Sequence, residues 1–426
     1  MFAPARGTRS FQGDELEQRK HLGNLLLEWA QKNNFLEIQL PTIEYSDLFV
    51  GSNEVGENIL EKEIFFLEGK KYALKPEGTI SIAREVINQK ALDKVSSPLK
   101  FCYLTQCFRY ERPQKGRYRE FTQFGIEIVN ASSIFYEVEL IFSMNKFLRE
   151  KLGLNPILKL NYLSSSKIKK EWSKELTKYF TEHSDKLNQI SKERIINNPI
   201  RILDDKQVSK LKIIKDAPKI SHFFSEEEKE RIKEIQKCLR SLNLKYQWDE
   251  NLVRGLDYYT GIVFEWQIND LAIAGGGRYD ELFDKFQTGK AQKKAVPSLG
   301  MAIGFDRLQL ALNEVNYEWP FLRNKEEIIY VCYLLPKVES KILNLIQDLK
   351  NEGVKVETNW DSQDLASHFK YSEKLGIKWL LIYGEKESLN KEIILKRQYK
   401  NYQIILPLDN KEVLIQKVKR TVEFDN

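Results

Sequence analysis

At 426 residues, with 42% hydrophobic and 12% aromatic content, the chain can bury a large core in two or three globular domains. No apolar run approaches the roughly 18 residues of a membrane span, and the opening MFAPARGTRSFQGDE lacks the apolar core of a signal peptide. The net charge of +6 permits a nucleic-acid partner without demanding one: from Glu326 onward 16 Lys+Arg face 16 Asp+Glu, so the whole excess precedes it.

Cys102, Cys107, Cys238 and Cys332 form no CxxC pair, and His21, His183, His222 and His368 are equally scattered. Neither set suggests a structural zinc site or a disulfide framework, so a reduced, cytoplasmic protein with no metal held by protein clusters is expected.

In chain order, Asp14–Lys32 is predicted as an amphipathic helix, since Leu22, Leu25, Leu26 and Trp29 recur at three- and four-residue spacing. Asp14 is expected to cap it, with Glu17 completing a capping-box pattern. A short strand, Phe35–Leu40, then runs to Pro41, and another apolar strand covers Ile64–Leu67. ALKPEGTISIARE (73–85) follows; Glu77-Gly78-Thr79 reads as a tight polar turn opening a helix, with the carboxylate and hydroxyl serving either as caps or as ligand groups.

The stretch FRYERPQKGRYREFTQFGIE (108–127) dominates the next part. Strands Phe101–Glu111 and Phe121–Val129 flank a polar loop with turn residues Pro113 and Gly116. Alternate strand residues share a face, so Arg109 and Glu111 are expected on one face, as are Gln123, Gly125 and Glu127. Such a face is either a solvated surface of scattered ion pairs or a ligand floor; the apolar neighbours Phe101, Tyr103, Phe108, Phe121, Phe124, Ile126 and Ile128 favour the floor.

Leu158–Leu244 is Lys/Glu-rich and helical in pattern, with Ile232, Ile235, Leu239 and Leu242 on one face. It reads as an insertion at about 160–245, whose charge is either solvated or in contact with RNA phosphates. LVRGLDYYTGIVFEW (252–266) sets Arg254 beside Tyr258 and Tyr259 between two glycines, followed by a strand at Ile262–Ile268. AIAGGGRYDELF (272–283) allows close backbone approach at its glycines, with Tyr279 opening a helix behind them. PSLGMAIGFDRLQLAL (297–312) reads as strand, glycine turn and helix, with Arg307 on the first helical turn.

From Glu326 the pattern becomes strand (Ile328–Leu335), helix (Val338–Asn351), strand (Val354–Trp360), helix (Asp364–Leu375), strands at Trp379–Tyr383, Ile393–Arg397 and Tyr402–Leu406, and a helix at Lys411–Val422. This alternation predicts a separate α/β domain with parallel pairing.

These strings, in this order, resemble the histidyl-tRNA synthetases among the class II aminoacyl-tRNA synthetases. The 108–127 hairpin resembles motif 2, the 14–41 region motif 1 and 297–312 motif 3. LVRGLDYYTG and GGGRYDEL resemble the two signatures peculiar to the histidyl enzymes. Lys75 stands where arginine is usual, a change expected to matter little, and Asp306 where glutamate is commoner.

The resemblance implies an α+β fold: a class II antiparallel sheet with helices and a helical insertion over 1–325, then a C-terminal α/β anticodon-binding domain over 326–426. It implies ATP- and Mg2+-dependent activation of L-histidine and transfer to tRNA(His) by a cytoplasmic homodimer with no membrane association. Arg109 and Arg254 are then the catalytic arginines on the α-phosphate, with Glu111, Arg117 and Arg307 also on ATP. Glu77, Gly78, Thr79, Gln123 and Glu127 take the histidine ammonium end, Tyr258, Tyr259 and Tyr279 enclose the side chain, and Arg112 and Gln114 approach the tRNA acceptor end. The competing reading is the synthetase-like regulatory subunit of histidine biosynthesis, which typically lacks the LVRGLDYY string and the C-terminal domain; this chain has both.

Overall fold

The computed structural model describes residues 2–50, 63–94, 97–203, 208, 211–253, 258–286, 295–320 and 328–423. The chain divides into two compact units, residues 1–318 and 319–426. The boundary expected at Lys325 and Glu326 lies outside the described residues.

In the first unit, helix Gly13–Lys32 buries Leu22, Leu25, Leu26 and Trp29, as their spacing requires. It does not begin as expected. The chain enters through Gln12, and Gly13 (φ +56°) takes a left-handed turn that a side chain would resist. Asp14 therefore falls inside the first turn, where the helix dipole favours it, and Glu17 pairs with Lys20 at 2.8 Å instead of closing a capping box.

The strands are β1 (Leu36–Glu37), β2 (Ile43–Tyr45), β3 (Phe66–Leu67), β4 (Tyr72–Leu74), β5 (Leu99–Phe108), β6 (Glu120–Val129), β7 (Ile157–Leu163), β8 (Gln247–Trp248), β9 (Thr260–Ile268), β10 (Leu271–Arg278) and β11 (Ser298–Gly304). Eight of them form one sheet in the order β1-β5-β6-β11-β10-β9-β7-β8, antiparallel except at its two outer pairs. β2, β4 and β3 make a small second sheet. Helix Thr79–Asn88 packs Ile80, Ile82, Ala83 and Val86 into one apolar cluster with Tyr103, Val129, Tyr279 and Phe283.

Two readings of the sequence change here. Ile157–Leu163 is a strand of the main sheet, buried on both faces from Leu160 onward, so the helical segment starts only at Ser166. Burial on both faces removes the polar alternation that marks a half-exposed strand. Within that segment Ser225 and Glu228 close a capping box on helix Glu226–Ser241, which buries Ile235 and Leu239 while Leu242 stays exposed beyond its end. Second, Tyr279 does not open an α-helix; it directly follows β10, its N–H donating to the Ser298 carbonyl at 2.8 Å, and only a 3-10 turn, Leu282–Lys285, comes after.

The second unit holds β12 (Ile328–Tyr333), β13 (Lys355–Thr358), β14 (Trp379–Tyr383), β15 (Glu392–Arg397) and β16 (Tyr402–Pro407), in the order β13-β12-β14-β15-β16. The first three run parallel, joined through helices Ser340–Asn351 and Leu365–Lys374. The last two form an antiparallel hairpin, because the short turn between Arg397 and Tyr402 leaves no room for a crossover. Helices Ser340–Asn351 and Lys411–Glu423 cover one face, with Ile329, Val331, Leu345, Leu381, Leu395 and Val418 in its core; Phe369 packs on the other against Tyr330 and Cys332. A short helix, Glu385–Asn390, was not expected; the Glu387 carboxylate accepts the Gly384 N–H at 3.0 Å at its start.

Leu381 is fully buried in the central strand β14. Leu381→Ala is expected to cost the second unit about 2–5 kcal/mol, read as a downward shift of its unfolding transition by circular dichroism. An unmoved transition would contradict this packing.

Candidate active site

The register of four strands lays a floor of small and polar groups. Gln123, Gly125 and Glu127 of β6 stand opposite Gly304, Ala302 and Gly300 of β11, and the same face continues through Gly275 and Gly277 of β10 to Glu265 of β9. The face expected for Gln123, Gly125 and Glu127 is thus present. The glycines are required by close approach: a Cβ at Gly300 would overlap the Glu127 carboxylate, and one at Gly125 or Gly78 would overlap the Tyr103 ring.

At one end of this floor Glu127 is fully buried. Thr79 Oγ1 and the Tyr103 hydroxyl donate to its Oε1 at 2.7 and 3.1 Å, and the Tyr279 hydroxyl donates to Oε2 at 2.6 Å. Burial pushes its carboxyl up to about 8, with those hydroxyls opposing the rise and Glu77 adding to it. Glu77, 1% exposed, accepts the N–H groups of Thr79 and Ile80 at 2.8 Å each and so caps the helix it precedes. Its carboxyl is also raised by burial, against those backbone bonds. The Tyr258 hydroxyl reaches Glu77 Oε2 at 3.4 Å. Tyr258 lies 4.8 Å from Tyr259 and 5.9 Å from Tyr279 between ring centroids, so the three rings form one wall. Gln123 is buried, its carbonyl accepting the Cys107 thiol at 3.2 Å.

The other end is cationic. Arg109 and Glu111 do not extend β5, which stops at Phe108. The Tyr110 N–H turns away to the Glu63 carbonyl at 2.6 Å, and the Glu111 N–H bonds back to the Arg109 carbonyl at 2.8 Å, which breaks the strand alternation expected there. Arg109 Nε donates to the Pro76 carbonyl at 2.9 Å, beside Glu77. Glu111 lies 3.5 Å from Arg117, and Arg307 Nε and Nη1 donate to the carbonyls of Gly116 and Ala272 at 2.9 and 3.0 Å. Burial lowers the Arg307 guanidinium, followed by the field of Arg117; Glu111 opposes, and Arg109 adds to the lowering. Four of the sequence-derived residues therefore converge here. Arg112 and Gln114 are exposed on the loop, Gln114 bridging to Arg117. Arg254 lies outside the described residues.

Tyr103 escaped the sequence reading, and Lys75 was read only as a replacement for arginine. Tyr103 looked like apolar filling, yet it supplies a hydroxyl to Glu127; its signal was the glycine facing it across the hairpin. Lys75, fully buried, donates to Thr105 Oγ1 at 2.6 Å and the Leu40 carbonyl at 3.3 Å, and so fixes the turn carrying Glu77 against β5.

A family model described as histidyl-tRNA synthetase matches residues 7–308, and one described as anticodon binding domain matches residues 329–418. The chain belongs to the histidyl-tRNA synthetase family. Among its relatives are histidine–tRNA ligases of Ureaplasma parvum serovar 3, 38% identical over 96% of this chain and 98% of that one, and of Malacoplasma penetrans, 36% identical over 99% and 98%. In structure it is similar to apo S. aureus histidyl-tRNA synthetase, with a TM-score of 0.73 at 25% identity over 97% of this chain and 100% of that chain. The synthetase match spans the hairpin, the Glu77 turn, the tyrosine wall and Arg307.

In the folded chain Glu127 keeps a proton that the unfolded chain releases from pH 4.5 upward. The stability this proton lends is complete below pH 4.5 and falls, by up to about 1.4 kcal/mol per pH unit, until pH passes about 8. Glu127→Gln lacks that loss. Its melting temperature relative to the parent should therefore rise by several degrees between pH 5 and pH 8, and a constant difference would contradict the buried acid.

Proposed function

We infer that this chain is a histidine–tRNA ligase, which activates L-histidine with ATP to histidyl-adenylate and transfers the histidyl group to the 3′ end of tRNA(His). The observation that carries the site reading is one floor with the buried carboxylate Glu127 at one end and Arg117 and Arg307 at the other, with Arg109 held beside the buried Glu77.

Activation is attack by the histidine carboxylate on the α-phosphorus of ATP; the new C–O–P linkage forms as the bond to pyrophosphate breaks. Two anions must meet, so the chain's task is positioning and neutralisation. Arg109, fixed by the Pro76 carbonyl, contacts the α-phosphate from one side. Arg254 contacts it from the other, a role that rests on the family resemblance. Arg307 and Arg117 take the outer phosphates with guanidinium forks that match paired oxygens. Glu111, 3.5 Å from Arg117, helps orient the nucleotide. No protein base is needed, because the attacking carboxylate is already ionised.

Glu77, Gly78, Thr79, Gln123 and Glu127 receive the ammonium end, where ligand charge compensates carboxylates that burial otherwise penalises. Tyr258, Tyr259 and Tyr279 enclose the imidazole, and Arg112 and Gln114 on the exposed loop approach the tRNA acceptor end. Among the described residues no group of three or more His, Cys, Asp or Glu gathers as a metal site. Mg2+ takes one or two carboxylates together with substrate phosphates, so Glu111 beside Arg117 fits it. Bound there, the ion would neutralise charge on the outer phosphates. A homodimer through the motif 1 region and the adjoining β2 is supported by Leu36, Ile43 and Tyr45, which are 65%, 54% and 63% exposed.

Pyrophosphate exchange measured with each of the twenty amino acids tests the substrate. Histidine should support exchange at least about 10²-fold better than phenylalanine or glutamine, because groups built to bond both imidazole nitrogens go unpaired with either. Comparable exchange with either would remove the assignment.

The second unit carries none of the groups just named. A chain ending at Asn324, prepared as a folded dimer, should still form histidyl-adenylate but charge tRNA with a strongly raised KM for tRNA. Undiminished charging would refute an anticodon-binding role, and loss of both reactions together would reduce the unit to a stabilising one.

A further inference from the structure

The segment ahead of the first helix, Ala5–Gln12, has no part in the chemistry above, yet it is tied to both sides of the arginine cluster. The Gly7 carbonyl accepts the N–H groups of Arg119 and Glu120 at 2.9 and 3.3 Å, where the 109–119 loop re-enters β6. Gly7 (φ +88°) packs so closely that a Cβ would press on the Arg119 side chain and the Pro113 ring at 2.8–3.0 Å. Two residues on, Arg9 Nη2 donates to Asp306 Oδ1 at 2.6 Å, while its guanidinium lies 3.7 Å from the Tyr118 ring centroid and 4.8 Å from that of Phe11.

Asp306 immediately precedes Arg307, and Tyr118 immediately follows Arg117. Arg9 therefore touches the nearest chain neighbours of both outer arginines. Asp306 is 5% exposed, and the same oxygen accepts Arg19 Nη1 at 2.7 Å. Arg19 continues to Gln309 Oε1 at 3.0 Å and Thr122 Oγ1 at 2.9 Å, which locks Asp306 to the first helix and β6. The helix bearing Arg307 is thus held rigidly by Arg19. Tyr118, among the described contacts, meets a cation at Arg9, so the Arg117 side of the cluster is referenced to Asp306 through that residue. Cation–π contact and charge-assisted bonding on one planar group fix both distance and orientation, which a lysine ammonium does less well.

We propose that Arg9 is a positioning residue for ATP: bridging Asp306 and Tyr118, it sets the separation of Arg307 and Arg117 and hence the span open to the outer phosphates. The proposal rests on the reading that those two arginines hold ATP.

The test is pyrophosphate exchange by full-length Arg9→Met, Arg9→Lys, Tyr118→Ala and Arg307→Ala proteins, with ATP and histidine varied separately below each variant's melting temperature. Arg9→Met and Tyr118→Ala should each raise the KM for ATP about tenfold and change that for histidine less than about twofold. Arg9→Lys, which keeps the Asp306 pair and loses the planar stack, should fall between. Tyr118→Ala reaches the bridge from the loop side and leaves Asp306 untouched, so it remains informative if Arg9→Met folds poorly. An unchanged ATP KM in both, or equal rises for both substrates, overturns the proposal and leaves a structural staple. If Arg307→Ala alone raises the ATP KM, only the bridge falls; if Arg307→Ala has no effect either, the placement of ATP falls with it.

Discussion

A carboxylate buried away from any cation must be held by neutral donors or give up its charge. Glu127 is held by three hydroxyls from three separate elements: Tyr103 on β5, Thr79 at a helix start and Tyr279 directly after β10. None of these elements is next to another in sequence. The hydroxyl cradle exists only when the hairpin, the Glu77 turn and the glycine-rich strand have all docked, so folding of the first unit and assembly of the amino-acid end of the site are one event. Glu77 is held more locally, by the N–H groups at the start of the helix it precedes, with Arg109 adding a favourable field.

The polarity of the floor follows from that arrangement. Acids that burial drives toward protonation lie at one end, and the Arg307 guanidinium, weakened by burial and by the fields of Arg117 and Arg109, lies at the other. Each end is unfavourable alone and is relieved by a ligand of opposite sign. On the proposed function, a molecule with an ammonium at one end and phosphates at the other compensates both at once and is favoured in one direction.

Much of this was legible in the sequence because it rests on local pattern. Strand periodicity put Gln123, Gly125 and Glu127 on one face, and four-residue spacing gave the buried stripe of the first helix. What sequence could not supply were endings and partners decided by distant chain. β5 stops at Phe108 because Tyr110, one residue past the last bond to Arg119 across the hairpin, is drawn to Glu63. β7 lost its alternation because neighbours cover both faces. Arg9 reads as an ordinary charged residue near the N-terminus, since Asp306, its partner, lies 297 positions away. Strings that quote a ligand site showed themselves; the groups that hold those strings apart did not.

The glycine floor has a consequence for how this pocket can change. Its depth is set by backbone atoms, at positions where the next larger residue already collides with Glu127 or Tyr103. Depth is therefore quantised: it cannot be trimmed by a methyl group, only filled or left. Drift toward a different side chain must come from Tyr258 and Tyr259 in the tyrosine wall, since Tyr279 is tied to Glu127, while the floor is inherited whole or lost.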